Sequence, residues 1–281
     1  MSEAQKSITL AKKFNVENMS YKPPRINKRG GKNIYIQYNG HNLYLQFSTM
    51  KTWGVNERVD EDTGRISYDL NLQFNSNDET TSEGALLKAL KAIENKVLDD
   101  SSLNSKLWFG KQKMSREVAE HAMYPLLKYP KNKDTGDLDY SRPPTAKAKL
   151  PYWDGKFNME LYDMDKKPLF GPAVSDSSET PYTLVPSGSH LKGILECAGI
   201  WFVGGRYGVS WRLIQAQVRQ PVRIRGFCLV SDSDDDDEED EQQMSNLVMV
   251  DSEEEEDEPP PAPKPTKKKV VRRKKKKTVS S

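Results

Sequence analysis

The chain is poor in the residues that covalent frameworks, metal centres and membrane spans require. Of its 281 residues only Cys197 and Cys228 are cysteines, which excludes a disulfide scaffold and a zinc site of the Cys-x-x-Cys kind. Only three histidines occur, His41, His121 and His190, far apart and in unlike surroundings, so neither a His-based triad nor a His-rich metal site is expected. No apolar run reaches the length of a membrane span, and the start, MSEAQKSITLAKKF, is too polar for a secretory signal. These absences lead us to expect a soluble, intracellular protein without membrane contact, and without a cofactor. Charge of one sign is missing from two blocks. Residues 231–258 hold 16 acids and no Lys or Arg, whereas residues 259–281 hold 10 Lys/Arg and no acid. Neither block has enough apolar surface to offset chain entropy, so 231–281 reads as a disordered tail.

What remains is a basic body. Residues 1–230 carry 33 Lys/Arg against 25 Asp/Glu, which points to an anionic partner. The first thirty residues end in Lys22-Pro23-Pro24-Arg25 and Lys28-Arg29-Gly30-Gly31 and read as a flexible basic arm. Asn33–Tyr38 and Asn42–Phe47 are β-prone runs joined through Asn39-Gly40, a hairpin signal. Ile66, Tyr68, Leu70, Leu72 and Phe74 alternate with polar residues, the period of a strand with one buried face. A helix then follows, with Ser82 able to cap it and Leu86, Leu87, Leu90, Ile93 and Val97 at helical spacing. A second, shorter helix is predicted after Ser115, ending before Pro125. Strands resume at Ala146–Trp153 and Lys156–Tyr162 around Asp154-Gly155. A long hairpin, Leu191–Val203 and Tyr207–Val218, turns through Gly204-Gly205-Arg206.

The fold class is therefore mainly β with an inserted helical segment. We expect an OB-fold-like barrel over residues 31–230 with an extra C-terminal hairpin.

Catalytic motifs fail. The glycines at 204, 205 and 208 lack a Gly-Lys-Ser/Thr and join strands instead of opening a helix. Asp163-x-Asp165 beside Lys166-Lys167 reads as a solvated turn. No enzyme is expected. Basic and aromatic residues interleaved on strands survive, because single-stranded nucleic acid needs cations along the phosphates and flat rings under the bases. The candidates are Lys32, Tyr35, Tyr44, Trp53, Lys111, Lys149, Trp153, Trp201, Arg206, Tyr207 and Arg212. Trp211 shares a face with Val209 and Leu213 and reads as buried, whereas Arg206 and Tyr207 at the hairpin tip read as the better contacts.

Four stretches together carry a resemblance: Leu43–Gly54 (LYLQFSTMKTWG), Asn104–Lys111 (NSKLWFGK), Lys147–Asp163, and Cys197–Val218 (CAGIWFVGGRYGVSWRLIQAQV). In that order they resemble the single-stranded-DNA-binding proteins of nucleocytoplasmic large DNA viruses, which are similar to phage proteins with an OB-fold and an acidic tail. The resemblance implies sequence-independent binding of single-stranded DNA in replication, recombination or repair. The terminal run Lys267–Lys277 reads as a nuclear import signal or a second nucleic-acid contact, which places the expected site in the host nucleus or a cytoplasmic viral replication site. The resemblance also implies replication proteins as partners of the acidic tail, and leaves a homo-oligomer open. The present chain departs from the pattern in placing its acids before a basic peptide. A rival reading is an acidic-tailed chaperone for histones or other basic proteins, which the tail alone fits equally well.

Overall fold

A computed structural model describes residues 3–26, 30–174, 178–222 and 228. The chain divides into a unit Met1–Ile224 and a second, Arg225–Ser281. The acidic and basic blocks, and Lys28-Arg29, lie outside the described residues.

Five long strands build the first unit: β1 (Tyr44–Val59), β2 (Ile66–Gln73), β3 (Thr145–Leu150), β4 (His190–Val203) and β5 (Arg206–Arg219). Antiparallel pairing joins β1 to β2, β2 to β3, β4 to β1 and β4 to β5. One parallel bridge, Lys149 opposite Arg212, brings β3 to β5 and closes the circuit. This is the strand order of an OB barrel. The terminal hairpin read from the sequence is present, and it supplies two of the five barrel strands. The expected helical segment lies between β2 and β3, while the early hairpin (Ile36–Tyr38 with His41–Asn42) sits outside the barrel circuit.

Period-two alternation fills the interior. Leu45, Phe47 and Met50 of β1 meet Leu70 and Leu72 of β2, Ala148 of β3, and Leu213 of β5, all at most 1% exposed. Trp211 joins them at 3%, as its alternation predicts. Turn chemistry is obeyed where the sequence announced it. Asn39-Gly40, Asp154-Gly155 and Gly204-Gly205 all have positive φ, the two-residue turn whose twist matches paired strands.

Helix α1 (Gly84–Leu103) buries Leu86, Leu87, Leu90, Ile93 and Val97. Its start is not capped by Ser82; the Thr81 hydroxyl accepts the Gly84 amide at 2.9 Å instead. Two short helices follow, α2 (Ser105–Phe109) and α3 (Arg116–Ala122), the latter begun by Ser115 as expected. No helix among the described residues is long and apolar enough to cross a membrane.

The expectation of a free arm fails for residues 8–26. Ile8–Leu10 runs parallel beside Tyr44–Gln46, and Met19–Tyr21 pairs with Ile36–Tyr38. The Tyr21 hydroxyl donates to Asp100 at 2.6 Å, and its ring meets Trp108 edge-on at 5.0 Å. Burial first, then that carboxylate, raises the phenol pKa above its ordinary value. Ile8, Leu10, Phe14, Met19 and Tyr21 show no single period, so their shared packing is invisible locally.

Candidate nucleic-acid interface

Residues that alternate out of the core on β1, β2, β3 and β5 form one outer face. The register lays it out in rows across the strands. One row reads Glu196, Arg212, Lys149, Asp69, Asn56. Another sets Lys147 opposite Asn71; a third runs Lys128, Thr145, Gln73, Lys51. Arg58 lies opposite Ser67, toward the β1–β2 turn that holds Arg65. Successive rows on one face are about 6.6 Å apart, and neighbouring strands about 4.8 Å.

Two carboxylates organise this cationic field. Asp69, with a side chain only 8% exposed, is 2.8 Å from Arg58 Nε and 3.0 Å from Lys147 Nζ, while both cations keep exposed surface. Glu196 lies 3.3 Å from Arg212 Nε. That Nε has no hydrogen-bond partner among the described residues, so Glu196 offsets charge without fixing the guanidinium. Lys149 is crowded. Desolvation first, then Lys147, Arg65 and Arg212, hold its pKa below the ordinary lysine value, with Asp69 opposing. An anion placed there would relieve the crowding.

Aromatic rings flank the cations. Trp53 on β1 is 59% exposed, beside the register shift between Thr52 and Val55. At the β4–β5 end, half-buried Trp201 lies against exposed Tyr124 with ring centroids 6.3 Å apart. The Trp201 ring lies over its cross-strand partner Gly208, where a Cβ would stand 2.9 Å from Trp201 Cζ2. Trp153 is half exposed on the turn beyond β3. Below it Tyr68, Tyr152 and Phe157 cluster with centroids 4.6–4.9 Å apart. The Tyr68 hydroxyl donates to Glu57, a bond that with burial raises its pKa to about 12.

Of the residues read from the sequence, Trp53, Lys149 and Arg212 come together on this face. Trp201 and Arg206 stand toward the hairpin tip, and Trp153 at the opposite margin. The others fall elsewhere. Tyr207 is a correction: fully buried, it shares a hydrogen bond with Ser101 at 3.0 Å and stacks against Phe202. The tip residue faces inward because β5 begins its inward alternation there. Lys32 is a second correction, since its ammonium donates to the carbonyls of Leu107 and Trp108 at 2.9 and 2.7 Å and tethers α2. Desolvation lowers its pKa. Tyr44 is half-buried beside Ile8; Tyr35 and Lys111 are exposed but off the barrel face. The sequence reading missed Lys51, Arg58, Arg65, Lys128, Lys147 and Tyr124. Only Lys147 carried a local signal, the alternation Thr145-Ala-Lys-Ala-Lys-Leu. Asp163, read as a turn, accepts the amides of Asp165 and Lys167, both at 2.8 Å.

No protein-family model matches the chain, and no curated protein does. Among solved structures, a single-stranded DNA-binding protein from bacteriophage Enc34 in complex with ssDNA is similar at a TM-score of 0.40 and 13% identity. That match covers 73% of this chain and 98% of the phage chain. The protein gp2.5, a single-stranded DNA-binding protein encoded by bacteriophage T7, is similar at 0.38 and 11% identity, over 66% and 90%. Both are phage proteins and do not bear on kinship with large DNA viruses. A likeness at this level settles nothing about this chain, whose fold rests on its own strand pairing.

Proposed function

We propose that the chain binds single-stranded DNA without sequence preference and without chemistry, coating exposed strands in the replication, recombination or repair of a large DNA virus. The observation that carries this reading is the outer face of β1–β2–β3–β5. Among the described residues it presents Lys51, Arg58, Lys147, Lys149 and Arg212 in rows shared with Asp69 and Glu196, with Trp53 exposed among them. The β2–β3 face is where OB barrels take oligonucleotides. Cations that track phosphates and a ring that accepts any base supply affinity without base readout.

The test is a fluorescence-anisotropy titration of the full chain with labelled oligothymidine at several salt concentrations. Lys147→Glu/Lys149→Glu should weaken binding at least about 100-fold, since two reversals remove two phosphate contacts and add repulsion. Its melting temperature should fall, because Lys147→Glu leaves the buried Asp69 ion-paired to Arg58 alone among the described residues, but unfolding should stay cooperative, and the titration is made well below that midpoint. Unchanged affinity in the double variant would remove the face from the reading. A preference for core histones over oligothymidine would favour the chaperone instead.

A further inference from the structure

A second cationic site lies away from the rows described above. A cleft of about 780 Å³ opens between the N-terminal segment, one side of α1 and the first half of β1. That volume suits a small ligand or a short peptide. Ala85, Ala89 and Ala92 recur at helical spacing along its α1 wall, and Leu10, Phe14 and Val16 line the side opposite. The α1 wall is thus apolar and built of small side chains, while Asn15, Gln46, Thr80, Thr81 and Ser82 give the rest of the lining polar groups.

Three lysines surround this slot: Lys12 after Ile8–Leu10, Lys88 on α1 and Lys192 on β4. All three are exposed, and none is in an ion pair among the described residues. The lining carboxylate, Glu79, is held by Lys91 at 2.7 Å. The register between β4 and β1 shifts between Leu191 and Gly193, whose partners are Met50 and Phe47. Two residues of β1, Ser48 and Thr49, therefore oppose Lys192 alone, which is a β-bulge. Ser48 Oγ at this bulge is buried at the edge of the cleft that Ser48 lines, and has no hydrogen-bond partner among the described residues. A buried hydroxyl without a partner costs stability unless a ligand supplies one.

We infer that this cleft docks an acidic peptide segment of a partner protein, with aliphatic side chains against the alanine wall and carboxylates among Lys12, Lys88 and Lys192. The chemistry favours a peptide over a nucleic-acid strand. Among the described residues the ring that lines the slot, Phe14, is half-buried and stacked on Tyr38 at 5.2 Å, so it presents no free face to a base. Ser48 Oγ would hydrogen-bond the peptide backbone. Partner docking on this cleft would leave the β2–β3 face free, and the proposal stands independently of what that face binds.

The experiment uses the full chain and a fluorescent synthetic peptide of four aliphatic residues followed by four glutamates. A control peptide carries glutamine in place of glutamate. Saturable binding is expected for the acidic peptide, with at least a tenfold loss for the control and for Lys88→Glu/Lys192→Glu. Lys147→Glu/Lys149→Glu should bind the peptide as the native chain does, and Lys88→Glu/Lys192→Glu should keep oligothymidine affinity within twofold. Ser48→Ala, a smaller change, should weaken the peptide threefold or more while the melting temperature of the free chain holds or rises, since the unpartnered hydroxyl is removed. Absence of saturable binding, or loss in the β3 variant alone, overturns the proposal. Loss of oligothymidine affinity in the cleft variant would show instead that the slot belongs to a nucleic-acid path, and would equally overturn it. Failure of oligothymidine to bind any form, with the peptide still bound, would sink the DNA reading and leave the cleft standing.

Discussion

Lys149 is the residue at which charge, register and chemistry meet. Its pKa is lowered, so as pH rises it loses its proton before ordinary lysines do. A phosphate beside it favours the charged form, so binding takes up a proton in that window. Affinity for oligothymidine should therefore decline on the alkaline side before bulk lysine titration begins. Lys149→Arg should flatten the profile there, since a guanidinium does not deprotonate; titrations at stepped pH and fixed ionic strength check this. Trp53 carries a different term. Replacing it by alanine should cost about 1–3 kcal/mol of binding, about five- to 150-fold, if one base stacks on it. Tyr207→Phe should leave binding unchanged while lowering stability by about 1 kcal/mol through the lost Ser101 bond, read by denaturant unfolding. The pair separates an exposed ring from a buried one. The alternation in the sequence already held the distinction, since Tyr207 has the parity of Val209, Trp211 and Leu213, but its place at the hairpin tip suggested exposure.

Among the elements, legibility followed the range of the interaction. The two-residue turns, the alternation of Ile66–Phe74 and the apolar stripe of α1 depend on residues a few positions apart, and the sequence displayed them. The barrel closure depends on Lys149 meeting Arg212, and no local pattern encodes that bridge. The same distance hid the interface: Arg58, Lys147 and Asp69 become neighbours only through the β1–β2–β3 register. The N-terminal segment was obscured differently, because its apolar residues pack singly under α1 and β1 instead of forming an amphipathic face. One glycine tests how tightly these parts interlock. Gly199 on β4 has φ +96°, and a Cβ there would stand 2.4 Å from the Ile34 carbonyl oxygen. Gly199→Ala should destabilise by about 1–3 kcal/mol from backbone strain alone, with more from displacing the neighbouring strand. Gly155→Ala, also at positive φ but with open space around it, should cost only about 1–2 kcal/mol. Urea midpoints of the two variants should differ in that order; equal midpoints would mean that the segment Lys32–Ile34, paired with β4, yields without cost.

For the whole molecule the decisive quantity is how binding responds to salt. The outer face offers Lys51, Arg58, Lys147, Lys149 and Arg212, with Lys128 and Arg65 at its margins; Asp69 and Glu196, with Asp60 beside Arg65, subtract from that set. Neutralising four to six phosphates on a single strand predicts a log–log slope of about −3 to −4. Affinity should then fall about 60- to 250-fold between 50 and 200 mM salt. The segment 231–281 adds a longer-ranged term of known sign, since its 16 acids outweigh its 10 cations. Removing it should raise affinity for oligothymidine at low salt, where the Debye length reaches about 30 Å at 0.01 M, and should matter progressively less as that length shrinks to about 3 Å at 1 M. The slope of the truncated chain should stay near that of the intact one if the β2–β3 face supplies the phosphate contacts. If the slope instead falls by half or more, the cations of 259–281 are themselves phosphate ligands, and the barrel face accounts for only part of the binding.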